Sequence, residues 1–121
     1  MKPLMLTIDF GTQSVRASLF DKEGNIVAIE TKPYDPPYFS PKVGYCEQNP
    51  QYYFDSMCEC TNRLAKNNPE DIKNAIGITI TCFRDTAVLL DKDMNIVRPS
   101  VLWLDQRQAE GKKKLPIVSR M

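Results

Sequence analysis

The 121-residue sequence contains no histidine, a single tryptophan and no long apolar run. Without histidine, Cys58 and Cys60 have no imidazole partner, and their spacing differs from that of a zinc knuckle, so no zinc site is predicted. No stretch approaches the roughly 20 apolar residues of a membrane helix, and the apolar run at 4–8 is too short for a signal-peptide core. These absences predict a cytoplasmic protein without a membrane partner, in which the four cysteines are reduced thiols.

Net charge is also nearly absent. Sixteen lysine and arginine residues oppose fifteen acidic residues, which gives a net charge of +1, and this balance creates no broad field that would attract nucleic acid or anionic lipid. The three lysines at 112–114 have no interleaved aromatic residues for base stacking, so they indicate a solvated helix end. The sequence predicts no nucleic-acid partner, and its length fits one domain at most.

The first third of the sequence has the pattern of three consecutive strands. Residues 4–8 and 15–20 are rich in apolar and β-branched side chains and flank Gly-Thr-Gln-Ser, and the turn Asp-Lys-Glu-Gly-Asn precedes residues 26–30. Short runs of this kind joined by turn residues are typical of hairpins. We therefore expect a three-stranded antiparallel meander.

The remainder predicts a loop, a helix, a strand and a hairpin. Five prolines between positions 33 and 50 favour an irregular loop. Asn49 followed by Pro50 has the form of a helix N-cap and first position, and apolar residues then recur at helical spacing, which predicts a helix from about Gln51 to Lys66. The run AIGITIT at 75–81 predicts a buried strand, and residues 86–98 predict the hairpin.

Residues 17–27 and 87–97 are similar to each other. Seven of eleven positions are identical, and both segments contain Asp-Lys-x-x-Asn. Tight turns select such residues for local reasons, so shared turn chemistry is favoured over an internal duplication.

The stretch IDFGTQSVR places an acid, a glycine and small polar residues directly after a strand. A turn there would leave backbone N–H groups and hydroxyls at a sheet edge, where an anion could approach. The acid would repel phosphate unless a cation stood between them, which suggests Mg²⁺, and Arg16 could donate to the same anion. The alternative is a plain hairpin in which Asp9 accepts hydrogen bonds from the turn and Arg16 is solvated. The candidate residues are Asp9, Gly11, Thr12, Gln13, Ser14 and Arg16, with Asp9 as the metal ligand.

Two later stretches contain candidate substrate-binding residues. Arg84 and Asp85 follow the predicted strand, where burial of opposite charges is costly unless they face a cleft, and together they could donate to and accept from hydroxyl groups. The segment WLDQR adds Trp103 and Asp105, and an indole beside polar groups is frequent in sugar sites. The alternatives are a surface salt bridge for the pair and a core position for Trp103.

Four segments, in order along the chain, together resemble one family. DFGTQSVR, GYCEQNPQYYF, IGITITCFRDT and WLDQR are similar to the amino-terminal portion of the FGGY-family carbohydrate kinases, which belong to the actin-like ATPase superfamily. The resemblance implies an α/β, ribonuclease H-like fold with a mixed sheet, ATP and Mg²⁺ as cofactors, and a sugar or polyol as substrate.

The resemblance also implies roles for individual residues. Asp9 matches the acid that organises Mg²⁺, residues 11–14 match the turn that approaches the ATP phosphates, and Arg16 matches a position near the transferred group. Arg84 with Asp85 matches the pair that grips polyol hydroxyls, and Trp103 matches the tryptophan that packs against substrate carbons. Asp105 and Arg107 match positions to which we give an architectural role, and Asp105 is also kept among the substrate-binding candidates.

The sequence departs from the family pattern in substrate residues and in length. Asp85 stands where the glycerol-specific branch has glutamate, and Cys82 and Phe83 replace a more usual polar pair, which favours a ketose or a polyol other than glycerol. The family's base, second phosphate loop and adenosine pocket lie downstream of the segments matched here. We therefore expect residues 1–121 to be a partial amino-terminal domain, a fragment that is inactive alone.

An incomplete domain would leave apolar side chains uncovered, and such patches promote association, so we expect a homo-oligomer. Two alternatives remain open for the function: a non-catalytic nucleotide-binding or regulatory module of the same superfamily, and an α/β interaction domain without a ligand. The side chains that we expect to lose partners are Phe54, Met57, Ile78, Ile80, Leu89 and Leu102.

Overall fold

The computed structural model describes residues 2–108. A four-stranded mixed sheet has the strand order β3-β2-β1-β5, and a separate two-stranded sheet joins β4 to β6. The lysine-rich segment lies outside the described residues. The elements are β1 (Leu4–Phe10), β2 (Ser14–Phe20), β3 (Ile26–Pro33), β4 (Glu47–Gln48), α1 (Gln51–Asn67), α2 (Pro69–Ile72), β5 (Ala75–Cys82) and β6 (Ser100–Val101).

The predicted meander is confirmed. β1 pairs with β2, and β2 with β3, in antiparallel register, whereas β5 lies parallel to β1 on its other side. The third strand runs to Pro33, three residues beyond its predicted end. Because side chains alternate between the faces of a strand, the register that pairs Ile8 with Ala17 and Asp9 with Arg16 sends the two pairs to opposite faces.

The hydrophobic core lies between α1 and one face of the sheet. Cys60 and Leu64, four residues apart on α1, are fully buried, and the helix packs mainly on β2 and β3. Four-residue spacing places both side chains on one face of the helix. The sheet side chains buried in the same cluster include Leu6, Ile8, Val15, Ala17 and Leu19.

The helix begins at Gln51, as predicted, and ends at Asn67, one residue beyond its predicted end. α1 starts at Gln51, directly after Pro50, while the Asn49 side chain still accepts a hydrogen bond from the Gln51 N–H at 3.0 Å. That bond satisfies one of the free N–H groups of the first turn. Within residues 2–108, no helix has the length and apolar character needed to cross a membrane.

The prediction that residues 75–81 form a buried strand is wrong with respect to burial. β5 is present, but Ile76, Ile78 and Ile80 are 73%, 64% and 58% exposed. The physical reason is its position, because β5 is an edge strand that pairs with β1 alone and α1 covers the other end of the sheet. The β-forming sequence was sufficient for the strand but not for its burial.

The predicted hairpin at 86–98 is reduced to a turn with one β-bridge, between Leu90 and Ile96. Its turn has the same hydrogen bonds as the turn between β2 and β3. Asp91 accepts from the Asn95 backbone and side chain, as Asp21 does from Asn25. The two similar segments thus form turns with the same hydrogen-bond chemistry.

Candidate functional site

The turn of residues 11–14 closes tightly between β1 and β2. The Gly11 N–H donates to the Ser14 carbonyl at 2.8 Å, and a Cβ on Gly11 would lie 3.2 Å from that oxygen. Glycine is therefore the residue that this approach favours. Among residues 2–108, the backbone N–H groups of Thr12 and Gln13 donate to no protein acceptor, so both can serve an anion.

Asp9 lies beside this turn, on the sheet face opposite α1. Its carboxylate accepts a hydrogen bond from Arg16 Nη2 at 2.7 Å and another from Thr81 Oγ1 at 2.8 Å. The Asp9 and Arg16 side chains are about half exposed, so solvent and ligands can reach them. The hydrogen bonds of Asp9 thus come from the neighbouring strands, in contrast to the plain-hairpin alternative.

A pocket lies at the end of β5. Phe83, Arg84, Asp85 and Trp103 line a cavity of about 230 Å³. Trp103 is 57% exposed, which excludes the core position considered as its alternative. Asp85 has a φ of 56°, a left-handed conformation that aspartate tolerates better than most residues and that is enriched at functional sites. In the part of the chain that the structure describes, no salt bridge joins Arg84 to Asp85.

The turn and the pocket meet at one hydrogen bond. Trp103 Nε1 donates to Thr12 Oγ1 at 3.0 Å, across 91 positions of sequence. The indole therefore belongs to the wall of the pocket and also contacts the turn. The two groups of residues that the sequence analysis treated separately lie on the same side of the molecule.

Asp105 is not among the residues that line this pocket. Its carboxylate accepts from the Cys46 N–H at 2.6 Å and from Arg107 Nη2 at 2.6 Å, and its side chain is 2% exposed. The hydrogen bond from Arg107 is the main cause that holds the pKa of Asp105 below its usual range. This closed geometry does not support Asp105 as a substrate-binding residue, and it fits the architectural role.

The same cluster extends to β4. Arg107 Nη2 donates to Glu47 Oε1 at 2.6 Å, and Arg98 donates to the same oxygen at 3.0 Å. The Arg107 guanidinium also lies 3.9 Å from the centre of the Tyr45 ring, within the range of a cation–π contact. These contacts tie the loop after residue 33 to the segment that carries Trp103.

Gln48 was not predicted from the sequence to belong to the site. Its side chain is 2% exposed, and its amide nitrogen donates to the Thr12 carbonyl at 2.6 Å and also to the Pro37 carbonyl. The amide oxygen accepts from the Tyr53 hydroxyl at 2.7 Å. The only available signal was the position of Gln48 within the segment GYCEQNPQYYF, which gives no indication of its partners.

Comparison with known proteins identifies the family. The model for the N-terminal domain of the FGGY family of carbohydrate kinases matches residues 4–117. Gluconokinase from Bacillus subtilis (strain 168) is 32% identical over 111 residues, which cover 92% of this chain and 21% of that protein. Glycerol kinase from Nitrosomonas eutropha is 33% identical over 115 residues, which cover 94% of this chain and 23% of that protein.

A solved structure shows the same fold. The crystal structure of xylulose kinase from Rhodospirillum rubrum superposes with a TM-score of 0.79 at 28% sequence identity, and the match covers 86% of this chain and 21% of that one. The chain spans about a fifth of the length of these relatives. The prediction of the actin-like ATPase fold and of the family is confirmed: the chain belongs to the FGGY family of carbohydrate kinases, in the part that corresponds to the family's N-terminal domain.

Proposed function

We propose that this chain supplies the first ATP-phosphate turn and one wall of the sugar or polyol site of an ATP-dependent carbohydrate kinase, and that it does not turn over substrate alone. The hydrogen bond between Trp103 and Thr12 is the observation that carries the proposal. Phosphoryl transfer requires the phosphate and the acceptor hydroxyl to be held side by side. A turn that fits an anion, in direct contact with an indole-lined pocket, supports that arrangement.

On the nucleotide side, the residues present fit ATP with Mg²⁺. The exposed Asp9 carboxylate is the hard oxygen ligand that Mg²⁺ prefers, and the free N–H groups of Thr12 and Gln13 can bind phosphate oxygens. When bound, Mg²⁺ neutralises the charge that develops on the phosphates. Arg16, which is hydrogen-bonded to Asp9, is placed to donate to the same anion.

On the substrate side, the pocket presents complementary groups to a polyhydric compound. The Trp103 ring can cover the apolar C–H surface of a sugar, the Arg84 guanidinium can donate to hydroxyls, and the Asp85 carboxylate can accept from them. The shorter side chain of Asp85, compared with glutamate, favours a ketose or a polyol other than glycerol. The names of the three relatives given above refer to three different substrates. Sequence similarity alone therefore does not identify the substrate.

The binding test uses Trp103, because it is the only tryptophan. We expect ATP·Mg²⁺ to change its emission, and at least one member of a sugar and polyol panel to do so as well, while the purified chain forms no ADP in a sugar-dependent manner. Asp85→Asn is expected to weaken the polyol response and to leave the ATP response unchanged.

Each other outcome contradicts a specific part of the proposal. Sugar-dependent ADP formation at the rate of an ordinary kinase would contradict inactivity of the chain alone. A response to ATP·Mg²⁺ with none to any polyol would favour the regulatory module. If neither ATP·Mg²⁺ nor any sugar or polyol changed the Trp103 emission, the proposal that the chain binds these ligands would be contradicted.

Self-association is a further part of the proposal. Ile76, Ile78 and Ile80 lie on one edge strand and are exposed, and an uncovered apolar strand edge favours pairing between copies. Phe54 and Leu89 are also exposed, at 61% and 51%. Leu102 was expected to lose its partners, but it is buried, with 2% exposure.

We expect the double variant Ile78→Lys with Ile80→Lys to weaken the association constant by on the order of tenfold or more, because burial of each isoleucine is worth roughly 1.5–3 kcal/mol. Sedimentation velocity over a concentration series measures the change. Val43→Lys, at a fully exposed loop position, is the control. A wild-type chain that stays a compact monomer at high concentration would refute the self-association.

A further inference from the structure

We propose that Gln48 is a positioning residue that fixes the phosphate turn against the substrate pocket. The inference rests on the proposed function for the meaning of the two sites, but its geometry is independent of any ligand. Thr12 is held at two atoms: its carbonyl by Gln48 and its hydroxyl oxygen by Trp103. Among residues 2–108, no other residue of the turn is hydrogen-bonded to both Gln48 and Trp103.

The hydrogen bonds of Gln48 leave little freedom to its side chain. Both N–H groups of the amide are used, one on Thr12 and one on Pro37, and the amide oxygen accepts from Tyr53. A buried amide with three satisfied bonds resists displacement, because each bond lost inside the protein leaves an unpaired polar group. Gln48 therefore anchors the turn to the proline-rich loop and to α1.

Tyr53 extends the connection to the pocket. Its hydroxyl bonds to Gln48, and its ring meets the ring of Phe83 edge-on, with centroids 5.2 Å apart. Phe83 lines the pocket and precedes Arg84. Two routes thus link Thr12 to the pocket wall: the direct bond to Trp103, and the path through Gln48, Tyr53 and Phe83. A shift of the turn would therefore displace the pocket wall through both routes.

The test is the isosteric substitution Gln48→Glu. The glutamate has the same shape, but its ionised form offers no donor to the two carbonyls and places a negative charge against them. We expect hydrogen exchange of the Gly11 amide, whose N–H is bonded to the Ser14 carbonyl, to accelerate by on the order of tenfold or more and the Trp103 emission to change, both without any ligand.

The pH response of Gln48→Glu separates positioning from general loss of structure. A buried carboxyl that faces two carbonyl oxygens titrates above its ordinary value of about 4.3, and its neutral form regains one O–H donor. As the pH falls, we expect the emission of the variant to return toward that of the wild type measured at the same pH. A variant merely damaged in its packing would show no such recovery.

Tyr53→Phe is the second variant, and Tyr52→Phe is its matched control. Each deletes one hydroxyl from neighbouring positions of α1, but the Tyr52 hydroxyl donates to the Asp35 carbonyl at 3.0 Å and not to Gln48. We expect Tyr53→Phe to speed exchange of the Gly11 amide and to alter Trp103 emission, and Tyr52→Phe to do neither.

If Gln48→Glu does not fold, Tyr53→Phe decides the question. The proposal is overturned if Tyr53→Phe is indistinguishable from Tyr52→Phe in both measurements. These readouts need no nucleotide or sugar, so a chain that binds neither would refute the proposed function, and the positioning role of Gln48 would still be tested.

Discussion

Replacing Leu64 with alanine is expected to lower the free energy of unfolding by about 2–5 kcal/mol, the range for removal of a fully buried leucine side chain. Leu64 is completely buried and is among the largest side chains in the core. It lies on the face of α1 that packs on the sheet, so the vacated volume would remain between the two layers. Against a total of about 5–15 kcal/mol for an ordinary domain, this loss would remove a large part of the stability.

Urea unfolding followed by far-ultraviolet circular dichroism measures the effect of Leu64→Ala. The control is Phe54→Ala on the same helix, because Phe54 is 61% exposed and its truncation creates no cavity. We expect Phe54→Ala to unfold near the wild-type midpoint. Equal midpoints for Leu64→Ala and the wild type would show that α1 does not form the core described here.

The local patterns were sufficient to predict most elements of the fold. The meander follows from short β-forming runs and turn residues, and α1 follows from Asn49, Pro50 and the helical spacing of apolar residues. These signals act between near neighbours in the sequence. The exposure of Ile78 and Ile80 does not follow from these signals and was expected only from the family resemblance. Burial depends on which element lies over a strand, and α1 packs mainly on β2 and β3.

In the candidate site too, the sequence predicted some residues but not the contacts between distant positions. Family resemblance and residue chemistry predicted Arg84, Asp85 and Trp103, and the structure brings them together around one cavity. Gln48 was missed because its partner Thr12 is 36 positions away, and an amide has no sequence signature for its acceptors. The partners of Asp105 could not be predicted because a motif position does not specify where a carboxylate points, although Arg107 two residues later was a signal of a local ion pair.

Replacing Arg107 with methionine is expected to be the most destabilising change of charge among the described residues. Arg107 is the common partner of Asp105 and Glu47, whose side chains are only 2% and 9% exposed. Methionine retains much of the apolar volume but leaves both carboxylates without this cation, and an unpaired buried charge costs more than the ion pair itself contributes. We expect the melting temperature to fall by several degrees.

Arg98→Met is the matched control, because Arg98 also bonds to Glu47 but is 42% exposed and does not contact Asp105. We expect a clearly smaller fall in melting temperature for this variant, since exposed ion pairs contribute little. An equal effect of the two substitutions would contradict a special role for the Asp105–Arg107 pair.

The pH dependence gives the sharper form of this prediction. The hydrogen bond from Arg107 keeps the pKa of folded Asp105 below its ordinary value of 3.8. A carboxyl with a lower pKa in the folded state adds stability at pH values above 3.8, and this stability is lost as the pH falls below that value. The difference in melting temperature between wild type and Arg107→Met should therefore be large near neutral pH and should shrink in acid.

Other carboxyls do not obscure the comparison. Asp21 and Asp91 also have pKa values lowered by hydrogen bonds from Asn25 and Asn95, but both turns are present in wild type and variant, so their contributions cancel in the difference. Melting curves of the two proteins at matched pH values on both sides of 3.8 give the measurement. A difference that stays constant with pH would mean that Arg107 stabilises the fold through its contact with Tyr45 rather than through the carboxylate of Asp105.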